Sequence, residues 1–134
     1  MKAQHWIALI AAIASIFVLV HIGGIGHRNA QYRRALKAYS DVLRRGMKRS
    51  EVENYFIMLK YVSFNRECCV GSKRGTFDDL VEIAHEPEGW FCQEQVVYAA
   101  FEFAAVEPKR EWVADPGDRL VMTSLYRSLC LDLP

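Results

Sequence analysis

The side chains able to do chemistry are few. Four cysteines, Cys68, Cys69, Cys92 and Cys130, and the histidine His85 stand among carboxylates at Asp78, Asp79, Glu82, Glu86 and Glu88. An even set of cysteines in a small domain is the pattern of disulfides made in an oxidising compartment, and four cysteines allow three pairings. The same cysteines and His85 are zinc ligands by type. However, the usual C-x-x-C knuckle is missing and adjacent cysteines seldom turn both sulfurs to one ion, so neither a metal nor any other cofactor is predicted. A Cys–His nucleophile would have to use His85, because His5, His21 and His27 lie in or beside an apolar run. No nucleophile elbow, phosphate-cradling glycine loop or H-E-x-x-H occurs. The carboxylates fall near expected turns, where solvated charge is the ordinary state. The chain therefore reads as no enzyme, with a small metal or enzyme site on Cys92 and His85 as an alternative.

The elements that would position these residues begin with a long apolar stretch. From Trp6 to Ile25 the chain reads WIALIAAIASIFVLVHIGGI, twenty residues without a formal charge. As a helix it would be roughly 30 Å long, the thickness of a hydrocarbon core. The rest of the chain is too short to wrap it as a buried soluble helix. Residues 6–25 are thus predicted to be a transmembrane helix behind a short tail at 1–5. The run is longer than a signal-peptide core and lacks an Ala-x-Ala cleavage site, which favours an uncleaved signal anchor. Cleavage near Gly26, releasing a secreted inhibitor-like domain, is the alternative. Two rules disagree on orientation. Arg28, Arg33, Arg34 and Lys37 follow the span and only Lys2 precedes it, which favours a cytoplasmic domain. The cysteines favour the outside, and the expected location is the cell membrane, single-pass, with the soluble domain extracytoplasmic.

Residues 28–134 make one domain of ordinary composition; over the whole chain 51% of residues are hydrophobic and 25% charged, which excludes a disordered chain. Over 29–45, Tyr32, Leu36, Tyr39 and Leu43 share a helical stripe with Arg33, Arg34, Lys37 and Arg44 on or near its polar flank, and Gly46 stands at the C-terminal cap. Ser50 and Glu53 form a capping box for a second helix carrying Val52, Tyr55, Phe56 and Leu59. Strands follow at Tyr61–Cys69, Leu80–Ala84, Val96–Phe103 and Leu120–Arg127. In the third, Val97, Ala99, Phe101 and Phe103 share one face, and Val96, Tyr98, Ala100 and Glu102 the other. The predicted fold is α+β: a transmembrane helix, then an αα-hairpin packed on an antiparallel sheet of about four strands. In a simple meander Cys92 and Cys130 come to one end of the sheet and pair, leaving Cys68 and Cys69 free or bridged to each other. Another strand order would give each of them a partner among Cys92 and Cys130.

A formal net charge of +1 argues against a dedicated nucleic-acid binder. The charge is divided, with twelve basic and four acidic residues from Arg28 to Arg74 and the reverse from Gly75 to Pro134. One reading is attraction between the two halves within the domain. The other sets Arg33, Arg34, Lys37, Arg44 and Arg45 against anionic headgroups. The aromatic run Trp90, Phe91, Tyr98, Phe101 and Phe103 reads as core. Trp112, in the long 106–118 loop, reads as a contact with an unknown protein partner.

The run GMKRSEVENYF at 46–56, a Gly-Met turn feeding a capped helix and then strands, resembles the helix-hairpin opening of SmpA/OmlA-like and β-lactamase-inhibitor-protein-like domains. Those are small extracytoplasmic α+β modules that bind other proteins. The likeness covers the α-α-β-β order and Gly46, Met47 and Val52; the lipid-attachment cysteine of the SmpA/OmlA lipoproteins has no counterpart, and no binding residue carries over. The later pattern of CC, EPEGWFC and VYAAFEF is similar to small membrane-anchored bacterial proteins. The expected function is that of a membrane-anchored module whose domain binds a protein or the membrane surface.

Overall fold

No proline interrupts the chain between Lys2 and Val42, and the apolar run and the amphipathic stripe after it fold as one element. Helix α1 (Lys2–Val42) is continuous, where the sequence suggests a tail, a span and a separate helix. Gly23, Gly24 and Gly26 each cost about 1 kcal/mol in a helix interior. None removes a backbone donor as proline would, and a helix already formed on both sides propagates through them. The structure, a computed structural model, describes residues 2–68, 77–86, 95–106 and 113–128, apart from the side chains of residues 2–5 and 8. The chain divides within α1 into two compact units, Met1–Gln31 and Tyr32–Pro134.

In the first unit Ser15, His27 and Gln31 find partners along the helix itself. Ser15 Oγ donates to the Ala11 carbonyl at 2.8 Å, which satisfies the hydroxyl without water. Gln31 and His27 meet one turn apart at 3.1 Å. Among the described residues, α1 is the one helix long and apolar enough to cross a membrane, a test that a signal sequence also passes.

The second unit opens on the last turns of α1, followed by α2 (Arg49–Met58), then β1 (Phe64–Cys68), β2 (Phe77–Glu86), β3 (Gln95–Ala104) and β4 (Arg119–Arg127). The strands form an antiparallel meander in the order β1-β2-β3-β4, so β1 and β4 are the edges. Val81 stands opposite Phe64 on one side and Ala99 on the other, and Ala99 opposite Leu125. The side chains of Val81, Ala99, Phe101 and Phe103 meet Leu43, Val52, Phe56 and Leu120 in the core, with Leu36 and Tyr39 packed against it. Phe56 is its centre. Its ring lies 4.9 Å from Phe101, 5.4 Å from Phe64 and 6.2 Å from Tyr39, in edge or tilted geometries that aromatic quadrupoles favour.

The α2 start differs from the Ser50–Glu53 box. The helix begins at Arg49, and Glu51 Oε2 accepts the Lys48 N–H at 2.7 Å. Long-range partners set this start: the Arg49 and Ser50 amides donate to the carbonyls of Asp118 (2.7 Å) and Pro116 (3.1 Å). The turn before β4 thus satisfies amides that the helix itself leaves open. Glu53 instead holds Arg66 of β1 through two hydrogen bonds of 2.8 Å. Strand β1 also begins later than the β-prone residues at 61–63 suggest, because a turn closed by the Val62 N–H on the Leu59 carbonyl (2.8 Å) ends the helix there.

Gly46 joins the helices in the left-handed region, with φ +91°. Its N–H donates to the Leu120 carbonyl at 2.7 Å, and the Leu120 N–H donates to the Met47 carbonyl at 2.9 Å. Arg119 Nη1 reaches the Gly46 carbonyl at 3.0 Å. The helix connection is therefore clasped to the first residues of β4.

Candidate functional site

The main electrostatic feature of the second unit is a charge cluster inside it. Arg49, at the first turn of α2, is 1% exposed, as is Asp118 before β4, while Asp79 of β2 is fully buried. Arg49 Nη1 donates to Asp79 Oδ1 at 2.5 Å, and its Nη2 donates to the Phe77 carbonyl. Arg49 Nε lies 3.6 Å from Asp118 Oδ2, and the guanidinium sits 4.0 Å from the centroid of the Phe103 ring. Burial pushes the Asp79 carboxyl up to about 7; Arg49 and Arg66 pull it back, and Glu53 and Asp78 push it further. The group can exchange a proton near neutral pH but meets no solvent-borne substrate. What it can do is tie the stability of the fold to pH.

This corrects the expectation of solvated carboxylates near turns, since β2 begins at Phe77 and places both Asp78 and Asp79 inside. Asp78, Leu80, Ala100 and Glu102 are buried on the sheet face turned away from the helices. The signal present in the sequence was the pair Asp78–Asp79 between Phe77 and Leu80, a strand start rather than a turn. Arg49 carried no local mark; its partners are 30 and 69 residues away in the sequence. The attraction between the basic and acidic halves is realised here, in the contacts of Arg49 with Asp79 and Asp118.

The residues named from the sequence are dispersed. Arg33, Arg34 and Lys37 are exposed on α1, and Lys37 holds Asp41 one turn on at 2.8 Å. Arg44 and Arg45 are exposed beyond its C-terminus, beside β4. His85 is exposed on β2, 2.7 Å from Glu82. Cys68 closes β1 and is exposed. Cys69, Cys92, Cys130, Trp90, Phe91 and Trp112 lie outside the described residues, and with them the Cys92–His85 pairing and the Trp112 contact.

One open groove adjoins the edge of the sheet. It holds about 350 Å³ between the end of α1 and β4, walled by Ser40, Leu43, Leu120 and Met122 with Arg44 and Arg45 at its side. A second apolar surface lies at the other helix end, where Ile57, Met58 and Tyr61 are exposed around Lys60.

Comparison of the chain with protein-family models, curated proteins and solved structures finds no match.

Proposed function

We propose that the chain is a single-pass membrane protein carrying, outside the cytoplasm, a small α+β domain that binds a protein partner or the membrane surface and catalyses no reaction. The observation that carries this reading is the surface of α1 from Trp6 to Ile25, where every large apolar side chain is between 40% and 74% exposed. Burying one such side chain is worth about 1.5–3 kcal/mol, so twelve of them in water cost on the order of 20 kcal/mol, more than the stability of an ordinary domain. A hydrocarbon environment removes that cost.

The even set of four cysteines supports an oxidising compartment. The basic residues after the span bias insertion the other way, and the orientation proposed follows the cysteines instead. Exposed Arg33, Arg34 and Lys37 suit anionic headgroups. The groove beside β4 suits an extended, acidic segment of a partner protein, added as a strand along that edge between Arg44, Arg45 and Met122. The resemblance of residues 46–56 to extracytoplasmic modules that bind other proteins agrees with this use.

Alkaline extraction of membranes holding the full chain, followed by protease added outside sealed cells, tests the reading. The chain is expected in the pellet, with its domain digested from outside. Recovery of the intact chain as a soluble particle without detergent refutes the anchor, a mature N-terminus near His27 replaces it with a secreted domain, and a protected domain refutes the orientation. For the groove, a photoreactive side chain at Met122 is expected to capture an acidic extended peptide and to lose it when Arg44 and Arg45 are both changed to Glu. Equal capture by the reversed variant removes the groove from the proposal.

A further inference from the structure

The register of the sheet fixes where the segment between α2 and β1 emerges. Phe64, the first residue of β1, faces Val81, which faces Ala99, which faces Leu125. Cys68, its last residue, faces Phe77 at the other end of the sheet, where Phe103 faces Leu120. Strand β1 therefore runs from the Leu125 row toward the Leu120 row, and the residues just before Phe64 leave the sheet at the Arg127 end. At that end the Arg127 guanidinium lies 5.9 Å from the centroid of the Tyr32 ring. Tyr32 is where the second unit begins, seven residues after Ile25, so its Cα is at most about 25 Å from the end of the apolar run whatever course the chain takes. The segment 57–61 thus stands at the end of the domain through which the chain joins its apolar stretch. Its side chains are unlike the rest of the domain surface. Ile57, Met58 and Tyr61 are 66%, 72% and 100% exposed, while Val52 and Phe56 fill the core on the other side of α2. A turn closed by the Val62 N–H on the Leu59 carbonyl at 2.8 Å holds Tyr61 beyond the helix end. Lys60, also exposed, is the one formal charge in residues 54–63.

We infer that Ile57, Met58 and Tyr61 dip into the headgroup boundary of a phospholipid bilayer, with Lys60 on its phosphates, as a second foothold of the domain beside the span. The inference rests on the reading of α1 as a membrane span, and names the element by which the domain meets the membrane surface. Each side chain suits that boundary. Ile57 and Met58 are apolar enough for the acyl edge, and a tyrosine ring with its hydroxyl is the side chain that settles at headgroup level. The Lys60 stem can lie along apolar surface while its ammonium stays with phosphate. No carboxylate in residues 54–63 opposes an anionic surface, and Glu53 just before them is held by Arg66 through two hydrogen bonds of 2.8 Å. Exposed Arg33 and Arg34 directly follow Tyr32 and bring further cations to the same end. Lipid is favoured over a protein partner as the occupant because the tether keeps a bilayer within reach at all times, whereas a partner must arrive by diffusion.

Photocrosslinking of the full chain in vesicles of phosphatidylethanolamine and phosphatidylglycerol tests the contact. Benzoylphenylalanine replaces Tyr61 in one variant, Phe17 within the apolar run in a second, and Met122, near the Leu120 end of β4, in a third. After irradiation, mass measurement is expected to find a phospholipid adduct at Tyr61 and at Phe17, and at least about fivefold less at Met122, which is exposed but stands at the far end of the sheet. An adduct at Phe17 with none at Tyr61 overturns the inference and leaves the span standing. No adduct at either position removes the span and the inference together. Equal yields at Tyr61 and Met122, or capture at Tyr61 of a second copy of the chain in place of lipid, also overturn it. With the photoreactive group moved to Ile57, the double change M58E and Y61E is expected to cut the lipid adduct at least about fivefold. Both side chains are exposed, so the circular dichroism of that variant is expected to match the wild type. A lipid adduct that persists there at the wild-type yield overturns the inference.

Discussion

Replacing Asp79 with Asn is expected to change how the stability of the domain depends on pH more than its value at any one pH. Asp79 has an ordinary carboxyl pKa of 3.8 in the unfolded chain and one near 7 in its buried place beside Arg49. The folded state therefore holds the proton more tightly. Its stabilising contribution is complete below about pH 4 and is lost as pH rises to about 7 and beyond. Integrated between about pH 5 and about pH 8, the loss is about 3 kcal/mol. Asparagine keeps an acceptor for the Arg49 guanidinium and removes the titration. Urea unfolding of the full chain in a nonionic detergent, followed by circular dichroism, measures the difference between wild type and variant at both pH values. The variant is expected to gain about 3 kcal/mol on the wild type between them, since groups common to both cancel. A difference constant to within about 0.5 kcal/mol would refute the claim that burial of Asp79 outweighs its ion pair.

The other expectations concern the same core. Arg49→Met leaves Asp79 and Asp118 buried without their cation and is expected to cost about 3–5 kcal/mol in urea unfolding, less at low pH where Asp79 is protonated. Phe56→Ala removes the ring on which Tyr39, Phe64 and Phe101 converge and should cost about 3–5 kcal/mol by the same assay. Gly46→Ala meets open space at its new Cβ, so its expected cost of about 1–2 kcal/mol is purely that of holding an L residue at φ +91°. A loss above about 3 kcal/mol there would show that the clasp to Leu120 had also broken.

Much of the architecture was legible because it is written in short-range periodicity. The stripe of Tyr32, Leu36, Tyr39 and Leu43, and the alternation of Ala99, Phe101 and Phe103, lead directly to the face each element buries. The fold class and four-stranded sheet follow. Boundaries were less legible where a distant partner decides them. Helix α2 starts at Arg49 because carbonyls of Pro116 and Asp118 receive its amides, and no local residue pattern announces that. Arg49 itself reads as one more residue of a basic run, and Asp79 as one more surface carboxylate, until the sheet brings them together. The continuity of α1 was hidden by the change from an apolar run to an amphipathic stripe at residues 26–31, where the glycines' helix cost is real but small.

The clasp between Gly46–Met47 and Leu120 also constrains the order of events at the ribosome. Its partners lie 73 residues apart, so at roughly 5–20 residues per second the helix hairpin is exposed for about 4–15 s before β4 has been synthesised. During that interval the core around Val52 and Phe56 is incomplete, and Leu120 of β4 is the last of its buried residues to be made. Until the last strand arrives and locks them, the apolar faces of the two helices are open to association with neighbouring chains.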